Sequence, residues 1–273
     1  MAIALAVSGC AGRMGRRIAA LAHTDPNPVF ELVQLLEAPD HPAVGKSARE
    51  LVPELPEDLT VTANLSPGAD VLIDFSTPEG ALVRAGEAIG RRTAYVIGTT
   101  GLTDAQQAAV YLAAETVPVM QASNYSVGIN LLARLVGIVA RALGEDFDVE
   151  ITEAHHNQKV DAPSGTALTL ARAAADGLGL EFPAALVHGR SGRPGARPRR
   201  QIGMHALRMG SVVGDHTVYF GSASERIELT HRAESRDVFA AGALRAAQWL
   251  VKRPAGLYDM EKMLFGEGNT GEV

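Results

Sequence analysis

The chain has 273 residues, 47% of them hydrophobic and 21% charged, with a formal net charge of −6, enough for one large core or two moderate ones. The acidic balance excludes the basic surplus expected of a nucleic-acid binder, and no apolar run reaches the roughly 18 residues that point to a membrane span. A single cysteine, Cys10, rules out an intrachain disulfide and fits a reducing cytoplasm.

Residues 2–8, AIALAVS, form a short continuous apolar run followed by turn signals, which predicts a buried parallel strand. Residues 7–10, VSGC, resemble a lipoprotein cleavage site. The preceding segment has no Lys or Arg and is too short for a signal peptide, so the stretch reads instead as a glycine loop. A helix follows over 16–23. Further strands are predicted at 31–37, 71–75, 94–97 and 117–121, with helices at 78–90 and 104–115 between them. This alternation predicts a doubly wound parallel sheet of Rossmann type.

Beyond Asn124 the pattern changes. A long apolar-periodic helix spans 129–143, and the strict alternation from residue 147 predicts a half-exposed strand running to about 154. Strands at 201–207, 217–220 and 226–231 have no helices between them, so an open mixed or antiparallel sheet is expected. Residues 189–203, with two prolines and five arginines, read as a mobile surface loop. A helix over 238–251 and a short helical tail from 256 complete the chain. The expected fold is α/β, with residues 1–126 and 237–273 forming a dinucleotide-binding domain. Residues 127–236 form an α+β domain for substrate binding and oligomerisation.

Gly9, Gly12 and Gly15 recur at three-residue spacing between a strand and a helix. That spacing lets the chain turn sharply, approach a pyrophosphate and present the N–H groups of a helix start to its charge. Glu37 ends the next strand, 22 residues after Gly15, where an acid bonding the adenosine ribose is expected. The plainer alternative is a tight turn and a solvated glutamate. A carboxylate accepts bonds from a ribose diol and repels a 2′-phosphate, and Ala38, Pro39 and Asp40 supply no cation. NADH is therefore the expected cofactor and NADPH the poorer one, although Arg13 and Arg16 stand near the loop. No base lies near Cys10 in the sequence, so it reads as a small residue beneath the phosphate loop rather than as a nucleophile.

The stretch at 153–168, EAHHNQKVDAPSGTAL, carries two imidazoles and an ammonium at a strand end. Ser164 is a good N-cap for the helix that follows, and the N–H groups of Gly165 and Thr166 lack intrahelical partners. Those amides suit a carboxylate, with His155, His156 and Lys159 adding positive charge around it. Only four of the 25 cationic residues are lysines, which makes Lys159 less easily dismissed as surface filler. Each feature alone is commonly structural, but their clustering points to a pocket for an acidic small molecule with its own proton donor.

These residues, together with DFSTP at 74–78, GTTG at 98–101, NYSVG at 124–128 and the 153–166 motif, resemble the 4-hydroxy-tetrahydrodipicolinate reductase family of bacterial lysine and diaminopimelate biosynthesis. The likeness extends over nearly the whole chain. It implies His155 as general acid/base, Lys159 as a second catalytic residue, and His156, Gly165 and Thr166 as contacts to substrate carboxylates. It also implies cofactor contacts at Gly9, Cys10, Ala11, Gly12, Arg13, Met14 and Glu37, and around the nicotinamide at Gly98, Thr99, Thr100, Ala122, Ser123, Asn124 and Tyr125. Many members carry arginine after the ribose-binding acid, where this chain has Ala38. The resemblance further implies a cytoplasmic homotetramer built through the open sheet, with hinge closure bringing nicotinamide to substrate. The Lys159 cation is expected to favour the neutral form of His155. Two rivals are another Rossmann-type dehydrogenase of amino-acid metabolism and a non-catalytic NAD-binding regulator.

Overall fold

The computed structural model describes residues 2–266, and residues 267–273 of the expected first domain lie outside them. The described chain divides into two compact units, one of residues 2–127 and 236–266, the other of residues 128–235. The first unit begins with β1 (Ile3–Ser8), α1 (Arg13–Thr24), β2 (Phe30–Leu36), α2 (Ala48–Leu51), β3 (Val61–Thr62), β4 (Val71–Asp74), α3 (Pro78–Arg91), β5 (Ala94–Ile97), α4 (Asp104–Ala114) and β6 (Pro118–Gln121). The second holds α5 (Val127–Leu143), β7 (Asp148–His155), α6 (Gly165–Leu178), β8 (Leu186–His188), β9 (Ile202–Arg208), β10 (Asp215–Gly221) and β11 (Arg226–Arg232). The chain then returns to the first unit as α7 (Asp237–Leu250), β12 (Gly256–Tyr258) and α8 (Met260–Phe265).

The first unit is a seven-stranded sheet in the order β12-β6-β5-β4-β1-β2-β3, parallel throughout. Alternation within β1 explains why helices cover both faces. Leu5 and Val7 pack with Ile18 of α1 and Ala243 and Ala247 of α7, while Ala6 packs with Ala81 and Ala85 of α3 and Val110 of α4. The helices begin where local chemistry allows. Thr77 caps α3 by accepting from the Gly80 N–H, with Pro78 in the first turn. Thr103 and Gln106 form a capping box on α4. The chain winds outward from β1 in both directions, so the switch point lies between the ends of β1 and β4, where such folds bind ligands.

The second unit is a mixed sheet in the order β11-β10-β7-β9-β8. β9 runs parallel to β7 and β8, and β10 antiparallel to β7 and β11. One face is core: Val149 and Ile151 of β7 and Ile202 and Met204 of β9 pack under Leu132 and Val136 of α5 and Leu170 and Ala174 of α6. The other face carries the alternate residues, among them Glu150, Thr152 and His205, which are half-buried. Contrary to the expectation that no apolar run is long enough for a membrane span, the stretch from Val127 to Asp146 has a mean hydropathy of 1.6 and is long and apolar enough for one. Arg134 and Arg141 interrupt it, and it buries Ile129, Leu132, Val136 and Ala140 within the protein.

Several local expectations are corrected. The tail at 256–258 is strand β12 beside β6 rather than helix, and helix begins only at Met260. The first helix starts at Arg13, three residues earlier than its apolar periodicity suggests. α2, β3 and β8 were not anticipated, because elements of two to four residues carry no readable period. The segment read as a mobile loop has no helix or strand between 189 and 201, yet two of its arginines anchor it to β7. Arg190 grips Glu150 with two bonds of 2.7 and 2.9 Å, and Arg197 bridges Glu150 and Asp148 at 2.9 and 2.7 Å. Burial opposes ionisation of Glu150, but Arg190, His205 and Arg197 outweigh it and hold its carboxyl down to about 2.

Candidate active site

The glycine loop sits on the switch point of the parallel sheet. Gly9 has a φ of +72°, and a Cβ there would lie 2.6 Å from the Phe75 carbonyl oxygen. A Cβ on Gly15 would stand 2.2 Å from the Gly9 carbonyl oxygen, so α1 packs this closely on the loop only as glycine. The loop borders a cavity of about 490 Å³ lined by Gly9, Ala11, Gly12, Glu37, Ala38 and Arg84 among others. Glu37 lies just past β2, and its Oε1 accepts from the Ala11 N–H at 2.7 Å. Arg84, buried beneath, donates to the Ser8 hydroxyl at 3.0 Å and to the carbonyls of Glu37 and Ala63 at 3.1 and 2.9 Å, holding the end of β2 in place.

Arg13 and Met14 form the first turn of α1, where N–H groups lack intrahelical acceptors. Cys10 is 1% exposed, and burial first, with the nearby Glu37 charge, pushes its thiol up to about 12. A thiol so buried and held in its neutral form is a poor nucleophile. The amides of Gly9, Cys10, Ala11 and Gly12 already donate to Leu36, Glu37 and Gly9, so a dinucleotide in this cavity would rest its pyrophosphate on the first-turn amides of α1 and its ribose on Glu37.

Gly98, Thr99 and Thr100 follow β5, and residues 122–125 follow β6. The Gly98 N–H donates to the Asp74 carbonyl at 2.9 Å and the Thr99 hydroxyl to the Asp74 carboxylate at 3.3 Å. Ser123 is exposed, Ala122 and Asn124 are half-buried, and Asn124 Oδ1 accepts from the Ser126 N–H at 2.8 Å. Tyr125 differs from the rest. It is 1% exposed, and its hydroxyl is directed at the carbonyls of Ile97 and Met120, at 2.8 and 3.1 Å. Its side chain therefore ties β5 to β6, which leaves only its backbone for a ligand.

In the second unit, β7 ends at His155, and the chain passes through His156 and Lys159 to Ser164, the N-cap of α6. His155 is 9% exposed, and its Nδ1 lies 2.5 Å from Glu153 Oε2. Lys159 pairs with Asp161 at 2.8 Å, its side chain 21% exposed. His156 is half-buried, Gly165 is exposed, and Thr166 stands beside it in the first turn of α6. Ser164 Oγ accepts from the Ala167 N–H at 3.1 Å, leaving the two preceding amides of the turn outside the helical ladder. The histidine pair, the lysine and the helix start that were picked out together in the sequence thus belong to one short strand–loop–helix segment.

Burial chiefly, helped by the Lys159 and Arg208 cations, moves the His155 imidazole below its usual range, while the Glu153 hydrogen bond and charge oppose that shift. The Lys159 effect has the expected sign, but it ranks below both burial and Glu153. Glu153 and Arg208 were not assigned roles from the sequence. Glu153 stands inside the motif, so an acid two residues before a candidate acid/base on a strand was an available signal. Arg208 is 55 residues away and has no local signal.

His216 of β10 packs edge-on against His155 with ring centroids 5.2 Å apart, and its Nε2 lies 3.1 Å from Ser164 Oγ. Burial pushes its imidazole down to about 4. An imidazole that resists protonation when folded makes acid favour the unfolded chain, which binds the proton first. Stability is lost as pH falls from about 6.5 to about 4, by roughly 2–3 kcal/mol at pH 4.5 from this group. Urea unfolding at pH 7 and 4.5 should show a smaller loss in His216→Gln than in the unaltered protein. Equal losses would remove His216 as the source.

The family models for dihydrodipicolinate reductase match residues 3–125 with the N-terminal part and 128–264 with the C-terminal part. The chain is 48% identical over 270 residues to the 4-hydroxy-tetrahydrodipicolinate reductase of Alkalilimnicola ehrlichii, covering 97% of this chain and 99% of that relative. It is 44% identical over 273 residues to the reductase of the same name from Halorhodospira halophila, with coverage of 97% and 99%. A solved structure of dipicolinate-bound dihydrodipicolinate reductase from Paenisporosarcina sp. TG-14 superposes with a TM-score of 0.74 at 26% identity, covering 97% of this chain and all of that one. By sequence over both units and by fold, the chain belongs to the dihydrodipicolinate reductase family, as the resemblance in its motifs implied.

Proposed function

We propose that the chain catalyses reduction of 4-hydroxy-tetrahydrodipicolinate, through dihydrodipicolinate, to tetrahydrodipicolinate, as a cytoplasmic homotetramer in lysine and diaminopimelate biosynthesis. In this reading residues 1–126 and 237–273 bind the dinucleotide and residues 127–236 bind substrate and carry the oligomer contacts. The single observation that carries the reading is the segment 153–166, which combines a buried imidazole, a lysine and a capped helix start in the family's motif. Glu37, the glycine loop through Met14, residues 98–100 and residues 122–125 would hold a nicotinamide cofactor, which would supply hydride to one carbon of the conjugated ring left when the substrate loses water. His156, Gly165 and Thr166 grip the ring's carboxylates, His155 delivers a proton to the neighbouring carbon, and Lys159 acts as the second donor facing the substrate.

A semialdehyde dehydrogenase would need an accessible thiol nucleophile, and Cys10 is buried with its thiol pushed up to about 12. A non-catalytic NAD-binding regulator would have no use for the 155–159 pair. A coupled assay that makes the aldol product in situ and follows absorbance at the NADH band separates the readings. The proposal requires NADH oxidation dependent on the aldol product. Binding of NADH without oxidation would favour the regulator.

NADH is the preferred cofactor in this proposal. Glu37 lies on the cavity with Ala38 and Pro39 beside it, so a carboxylate that accepts a diol is followed by no arginine for a 2′-phosphate. Arg84, which also lines the cavity, is committed to Ser8, Glu87 and the carbonyls of Glu37 and Ala63. The Michaelis constant should be lower for NADH than for NADPH, and Glu37→Gln should narrow the gap. A lower constant for NADPH would remove Glu37 from cofactor choice.

A further inference from the structure

The roles assigned so far leave the buried carboxylate of Glu153 unused. Glu153 precedes His155 by two residues on β7, so both side chains leave the same face of the strand. The Glu153 side chain is wholly buried. Its Oε2 sits 2.5 Å from His155 Nδ1 and accepts from Arg208 Nη1 at 2.9 Å. Its Oε1 accepts from Arg208 Nη2 at 2.8 Å and from the Ser164 N–H at 3.1 Å. Register makes this cluster, since His155 pairs with Arg208 across the parallel β7–β9 ladder. Arg208 is fixed in turn by the carbonyls of Leu207 and Asp161, each 2.6 Å from the guanidinium.

A carboxylate gripped by a guanidinium fork and a backbone amide stays ionised and can only accept. The hydrogen in the contact with His155 therefore belongs to Nδ1, and Nε2 becomes the atom that gains and loses the working proton. We propose that Glu153, anchored by Arg208, is a positioning residue that locks His155 in the Nδ1–H tautomer and presents Nε2 as the proton-delivering atom. The proposal rests on the reading of His155 as the acid. Four groups face this imidazole: Glu153 from β7, Arg208 from β9, His216 from β10 and Lys159 from the loop after β7. Of these, Glu153 alone stabilises the imidazolium.

The test uses the full chain and Glu153→Gln. A neutral amide can donate to Nδ1 and so hold the wrong tautomer. The loss expected is of the order of 10²-fold or more in kcat, as for other imidazoles deprived of their orienting carboxylate, with NADH affinity within about twofold of the unaltered protein. The imidazolium also loses its supporting charge, so the alkaline limb of the kcat profile should move to lower pH. A purely structural role for Glu153 would lower yield or thermal midpoint and leave that limb in place, and such a result overturns the proposal.

If Glu153→Gln does not fold, nitrogen-15 NMR of the imidazoles in the unaltered protein decides. Protonation of His155 at Nδ1 near neutral pH supports the proposal, and an Nε2–H tautomer overturns it. The parent reading fails separately, by full activity of His155→Gln. A silent Glu153→Gln beside an inactive His155→Gln would overturn the positioning role alone.

Discussion

Replacing His155 by glutamine lowers kcat by about 10²–10⁴-fold and leaves NADH affinity unchanged. The magnitude is that of one positioned general acid, roughly 3–5 kcal/mol of barrier. Glutamine retains polarity at the end of β7 but cannot pass a proton at neutral pH. The selectivity of the effect follows from the architecture: His155 belongs to the second unit, whereas the glycine loop and Glu37 belong to the first. Stopped-flow turnover beside a fluorescence titration with NADH measures both quantities. Loss of NADH binding would move His155 out of the chemistry.

Arg208→Leu should destabilise the fold by about 3–5 kcal/mol, the usual cost of stranding a buried charge. Glu153 is wholly enclosed, and Arg208 supplies two of its bonds at 2.8 and 2.9 Å. Burial opposes ionisation of Glu153, but Arg208 and His155 outweigh it and keep the carboxyl below its usual range. A carboxyl depressed in the folded state adds stability above its unfolded value, and this contribution is lost as pH falls through the folded one. Without the guanidinium, the carboxyl rises and takes up a proton, so the penalty of Arg208→Leu should shrink in acid. Removing both charges, as Glu153→Leu with Arg208→Leu, should recover much of the loss, because no buried charge remains. Urea unfolding of the two variants at pH 7 measures this. A penalty below about 1 kcal/mol for the single change would mean that water reaches Glu153.

The parts of the fold legible in the sequence are those written in local period. The β1 run, the glycine spacing and the alternation along β7 each predicted their element, and Ser164 marked the start of α6. The parts that escaped depend on register and on distant pairing. Arg208 reaches Glu153 because β9 lies parallel beside β7 after a long crossover, and no pattern near either residue encodes that register. β12 escaped because three residues joining a sheet edge look like any loop. Tyr125 came from the family motif as a nicotinamide contact, but its buried hydroxyl is committed to the ends of β5 and β6. Arg190 and Arg197 show the converse: a segment rich in Gly, Pro and Arg is anchored once Glu150 is found opposite.

In the proposed reaction hydride passes from a nicotinamide to a ring carbon of a cyclic dicarboxylate while the His155 imidazole protonates the neighbouring carbon. The most direct measurement is a single turnover with NADH deuterated at the transferred position, the aldol product being made in situ and the reduced ring recovered for mass spectrometry and NMR. The expected product carries one deuterium per molecule, bound to the reduced ring carbon, with solvent hydrogen at its neighbour. Product lacking that deuterium, or no NADH oxidation by protein that binds the cofactor, would contradict it.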